Sequence, residues 1–67
     1  MLRRILYLGT ALYSRPSERG AKVAYLQEGV VVQVLGSRRG FLRVQVESGG
    51  VGYVHEHAVS EASPEVG

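Results

Sequence analysis

The stretch VVVQVLGSRRGFLRVQVESGGVGYVH, Val30 to His55, decides the fold. Valine recurs at alternate positions on both sides of GSRRG, and a glycine-rich turn precedes a third apolar run. A β-strand sends successive side chains to opposite faces, so a period of two separates a buried face from a wet one. From Val30 to Leu35, Val30, Val32 and Val34 share one side, with Val31, Gln33 and Leu35 on the other. From Phe41 to Glu47, Leu42, Val44 and Val46 oppose Phe41, Arg43 and Gln45. Gln33, Arg43 and Gln45 mark the solvent side, which assigns Val32, Val34, Val44 and Val46 to the core. Gly36 to Gly40 reads as one hairpin loop. Ser48-Gly49-Gly50 reads as the next turn, with Gly49 and Gly50 free to adopt positive φ. Counting from that turn, Val54 points inward and Tyr53 outward, and Gly52 lets a neighbouring side chain cross the strand closely.

Working back towards the start, Val23 to Gln27 reads as a short strand closed by a Glu28-Gly29 turn. SRPSERGAK, Ser14 to Lys22, is a loop marked by proline, glycine and serine. Arg4 to Tyr13 is the first of five strands. Five short strands in so few residues hide their edges by curling, which predicts an all-β, five-stranded, partly open barrel. The first strand is apolar on both faces, with Leu2, Leu6, Leu8 and Leu12 on one side and Ile5 and Tyr7 on the other. Two accounts fit. A second copy of the chain covers Ile5, Leu6, Tyr7 and Leu8 in a homodimer, or the strand bends at Gly9 and swaps faces within one barrel. Tyr7 and Tyr25 are assigned to packing.

The 67 residues allow one domain, and a chain of that size buries only about 60% of its unfolded surface. There is no cysteine, so neither a disulfide nor a thiolate zinc site supports the fold. The net charge is +2, from eight bases and six acids, far from the dense positive face of a dedicated nucleic-acid binder. Seven of the eight bases are arginine, the side chain suited to bidentate contact with carboxylate or phosphate. The opening MLRRILYLGTA reads on as strand rather than as a cleaved signal, and no run approaches the ~20 apolar residues of a membrane span. A cytoplasmic location is the expectation.

With these residues placed, the chain resembles the bacterial SH3-like (SH3b) domain family. The resemblance is carried in order by LYSRPSERGAKVAYLQEG from Leu12, VVVQVLG from Val30, GFLRV from Gly40 and GGVGYVHEHAVS from Gly49. It covers Thr10 to Ser60. Three departures stand out: Arg15 replaces the glycine before the loop proline, and Phe41 and Tyr53 replace tryptophans. The first nine residues also extend beyond the usual start. The resemblance implies an SH3-like barrel over residues 10–61, an N-terminal strand extension over 1–9 and a flexible tail over 62–67. It also implies a short 3-10 turn near residues 55–58, and a module that binds without catalysing. Relatives often accompany cell-wall hydrolases, so a cell-wall peptide is a partner suggested by analogy.

In such barrels, aromatic side chains beside the long first loop form a shallow trough for an extended peptide. Tyr13, Phe41 and Tyr53 are the candidates here, the competing reading being that each ring caps an end of the core. Arg38, Arg39 and Arg43 could grip phosphates or an acidic partner, against a plain solvated hairpin. His55-Glu56-His57 has zinc-ligand chemistry but no third ligand group, so no metal and no cofactor are expected. Ser14, Ser17 and the two histidines make no recognisable nucleophile pattern, and no phosphate-binding glycine loop occurs. The reading is a non-enzymatic module that recognises a peptide or protein surface. The alternatives are a basic barrel that uses Arg3, Arg4, Arg38, Arg39 and Arg43 on nucleic acid, or an accessory protein docking by its apolar first strand.

Overall fold

The computed structural model describes residues 2–60. Among these residues, six strands form one antiparallel sheet: β1 (Leu2–Arg4), β2 (Thr10–Tyr13), β3 (Lys22–Leu26), β4 (Val31–Arg38), β5 (Phe41–Gln45) and β6 (Val51–His55). Their spatial order is β1-β4-β5-β6-β2-β3, and a 3-10 turn, Glu56–Ala58, follows β6. The sheet is open, and the fold is the all-β, SH3-like arrangement expected. The flexible tail assigned to residues 62–67 lies outside the described residues.

The valine alternation builds the centre. Ile5, Leu12, Val32, Val44, Val54 and Val59 form the buried cluster, with Val34, Leu42 and Val46 packed against it. Val44 and Val54 are fully buried on adjacent strands. Burial of each such aliphatic side chain contributes roughly 1.5–3 kcal/mol. Gly52 lies beneath Leu12: a Cβ there would stand 2.6 Å from Leu12 Cγ and 2.9 Å from the Tyr13 carbonyl oxygen. β2 can therefore cross β6 only where that side chain is absent. At the β5–β6 turn, the Gly49 amide donates to the Val46 carbonyl over 2.9 Å, and Gly49 takes φ +100°. Gly50 keeps an ordinary backbone.

The run read as a first strand is two strands. Arg4 and Ile5 are held at both edges: the Ile5 amide donates to the Val30 carbonyl, and the Ser60 amide to the Arg4 carbonyl. Ile5 also bridges Val59. A turn at Tyr7 to Gly9 then intervenes, with Gly9 at φ +75° and the Thr10 hydroxyl donating to the Tyr7 carbonyl over 2.7 Å. The division is forced, because β1 pairs with β4 while β2 pairs with β6 and β3. Ile5, 1% exposed, belongs to this chain's own core and is no part of an intermolecular patch. Leu6, Tyr7 and Leu8 stand out at the turn, with Leu8 77% exposed.

Two further expectations are corrected. Tyr7 and Tyr25 are not packed; they are 61% and 65% exposed, Tyr7 on the turn and Tyr25 on the edge strand β3. The hairpin loop is also shorter than Gly36 to Gly40. The register steps from Val34↔Val44 to Gly36↔Arg43, which leaves Leu35 as a bulge and carries β4 on to Arg38. Only Arg39 and Gly40 remain as the tip, at φ +54° and +81°. That is the two-residue hairpin geometry that favours asparagine or glycine. An arginine in the left-handed region costs roughly 1–2 kcal/mol.

Candidate functional site

The register brings the aromatic side chains to one face. Phe41 pairs with His55, Arg43 with Tyr53, and Tyr53 in turn with Tyr13 on β2. The Tyr13 and Phe41 rings meet edge to face with centroids 5.7 Å apart. His55 tilts over Phe41 at 4.4 Å and meets the edge of Tyr13 at 5.9 Å. Edge-to-face rings at these distances are favourable beyond the area they bury. Tyr13 and Phe41 are only 7% and 6% exposed, so they make a floor. Tyr53 and His55 are half-buried and make the accessible part of the face.

The face is rimmed by charge. The Glu18 carboxylate, from the loop between β2 and β3, approaches His55 Nε2 at 3.7 Å. Arg43 is exposed beside Tyr53, and Arg38 is the register neighbour of Phe41. The three arginines singled out in the sequence are thus divided. Arg38 and Arg43 flank the aromatic face, whereas Arg39 lines a separate concavity with Arg15, Pro16, Ser17 and Arg19.

His55 and Glu18 are additions to the sequence-based set. Counting four residues back from the Gln45↔Val51 pair brings Phe41 opposite His55, so the signal for His55 lay in the β5–β6 register. Glu18 had no such signal, because its position depends on how the loop folds back. His55 and His57 do not share a site: His55 ends β6, while His57 lies in the 3-10 turn with its side chain 93% exposed, 4.0 Å from Glu56. Among the described residues, no three potential ligands cluster as a metal site.

A concavity of about 730 Å³ lies at the other end of β5 from the aromatic face. Leu2, Val31, Gln33, Gln45 and Glu47 are among its lining residues. It offers aliphatic and amide groups without an aromatic ring or a cation, and is wide open. The aromatic face instead groups four rings, those of Tyr13, Phe41, Tyr53 and His55, at the opposite end of the sheet's β5–β6 pair. No helix among the described residues is long and apolar enough to cross a membrane.

An open antiparallel sheet of short strands, wrapped on a one-sided core and followed by a 3-10 turn, defines the SH3-like class. Residues 9–60, well over half of the chain, match the family model described as bacterial SH3 domain, and the chain belongs to that family. No match was found among curated proteins or among solved structures. The family's domains are binding modules of SH3 type.

Proposed function

We propose that this chain is a non-enzymatic module that recognises a peptide or protein surface through the face built on Tyr13, Phe41 and Tyr53. The observation behind the proposal is the convergence of those three residues, with His55, on adjacent strands beside the loop from Ser14 to Ala21. A tyrosine supplies flat apolar area with a polar tip, and an extended peptide can lie across such rings while its backbone seeks polar partners at the rim. Arg43 and Glu18 give that rim one charge of each sign. A cell-wall peptide is one candidate ligand.

Titration of the ¹⁵N-labelled chain with a panel of short peptides, cell-wall stem peptides included, tests this reading. Amide shifts should cluster at Tyr13, Phe41, Tyr53 and His55. Tyr53→Ala should weaken capture about tenfold with the fold intact, a loss in keeping with one aromatic anchor of an interface. Shifts centred elsewhere, or unchanged capture by Tyr53→Ala, would refute the groove.

A second reading has its own observation: the apolar turn Leu6-Tyr7-Leu8 is exposed although its flanks are tied into the sheet. It is the part of the apolar start left for a second copy or an assembly partner to cover.

A further inference from the structure

We propose that the concavity between the β2–β3 loop and the β4–β5 turn is a phosphate-binding site, independent of the aromatic face. It has a volume of about 380 Å³ and is lined by Arg15, Pro16, Ser17, Arg19 and Arg39. Every charged side chain in that lining is a guanidinium. None of the three arginines has an ion-pair partner among the described residues. The loop's own acid, Glu18, approaches His55 and does not line the concavity. Like charges gathered without a counter-charge repel, and a bound anion removes that repulsion.

The site is built on short, tied backbone. The Ser17 amide donates to the Arg15 carbonyl over 2.8 Å, and the Gly20 amide to the Ser17 carbonyl over 3.0 Å. The Arg19 amide donates to Ser17 Oγ over 3.1 Å, which leaves the hydroxyl proton of Ser17 for a ligand. Gly20 is buried under this turn, and a Cβ there would stand 3.2 Å from the Arg15 nitrogen. Arg39 completes the site from an adverse backbone, φ +54°, at a tip where glycine would be relaxed. A strained residue whose side chain supplies one third of a cationic cluster points to a use for that side chain.

The charge count selects the ligand. One guanidinium fork satisfies a carboxylate, whereas three guanidinium groups and a hydroxyl match a phosphoryl dianion, with its three terminal oxygens. The ligand class is therefore a phosphate monoester or a small polyphosphate.

The test uses the full chain, with inorganic phosphate and pyrophosphate as probes and acetate at matched ionic strength as control. ¹H–¹⁵N spectra should show saturable shifts at Arg15, Ser17, Arg19 and Arg39, tighter for pyrophosphate and absent for acetate. Arg39→Gly should lower phosphate affinity about tenfold, as loss of a charge-assisted bond does. The same variant should raise the melting temperature by roughly 4–8 °C as the turn relaxes. Arg4→Gln, at an exposed arginine outside the concavity, should leave phosphate affinity unchanged. The proposal fails if phosphate shifts do not saturate, if acetate matches phosphate, if Arg39→Gly binds as the parent does, or if Arg39→Gly melts lower.

Discussion

Gly52 and Arg39 show what a single residue decides in this sheet. At Gly52 the absent side chain is the space Leu12 occupies, and the nearest rigid obstacle is the Tyr13 carbonyl. A leucine tip can shift, but a carbonyl on a paired strand cannot. Gly52→Ala should therefore cost roughly 1–3 kcal/mol, the range for overpacking a core, and lower the urea midpoint at unchanged slope. Parent stability in Gly52→Ala would mean that β2 does not cross β6 so closely. The need for a small residue at Gly52 was legible, because a glycine inside an apolar strand pattern signals close approach. The strain at Arg39 was not. GSRRG holds glycine at both ends, and nothing in those letters tells a five-residue loop from a longer strand with a bulge at Leu35. The basic concavity was concealed in the same way: Arg15 stands out in the sequence only as a replacement for the family's loop glycine, and Arg19 fits no pattern, since only the folded loop sets both beside Arg39. Phe41 and Tyr53, equivalent in the sequence, separate by burial. Phe41→Ala should cost roughly 3–5 kcal/mol as a core truncation, so it is a poor probe of binding, whereas Tyr53→Ala should test the surface.

At the scale of elements, strand alternation located β4, β5 and β6, because polar residues mark one face of each, but it set Phe41 on the wet side with Arg43 and Gln45, whereas the ring is buried against Tyr13 and His55. The apolar start carried no such marks between Ile5 and Leu8, so its division could not be read locally. What divides it is long-range: Ile5 bridges Val59, and β2 is committed to β6. Ile5→Ala should cost about 2–5 kcal/mol, the value for a buried aliphatic cut to alanine, measured as a fall in denaturation midpoint. A change within about 0.5 kcal/mol would place this segment outside the core. The edge strand β3 shows the reverse. Val23 and Tyr25 carry strand propensity, yet both are exposed, since among the described residues β3 pairs only with β2. Natural edges are kept from self-association by charge. Tyr25→Lys should raise solubility while shifting stability by no more than about 0.5 kcal/mol. A large loss would show that Tyr25 is packed after all.

For the molecule as a whole, a small core, with six buried aliphatic residues among the described residues, and no disulfide leave a narrow margin of stability. Association is one way to widen it, and the exposed turn Leu6-Tyr7-Leu8 is one apolar surface open to it. Sedimentation equilibrium should show a concentration-dependent dimer, and Leu8→Glu should return it to monomer at unchanged secondary structure. A strictly monomeric mass at millimolar concentration would leave the apolar turn for a different partner. All the proposed surfaces depend on one arrangement, in which an open sheet of order β1-β4-β5-β6-β2-β3 brings distant aromatic and basic residues together. Nuclear Overhauser spectroscopy on the free chain tests it most directly. That strand order requires cross-strand contacts between Tyr13 and Tyr53 and between Ile5 and Val59, together with ring contacts between Phe41 and His55. Contacts confined to the β4–β5 and β5–β6 hairpins, with none reaching Ile5 or Tyr13, would contradict it.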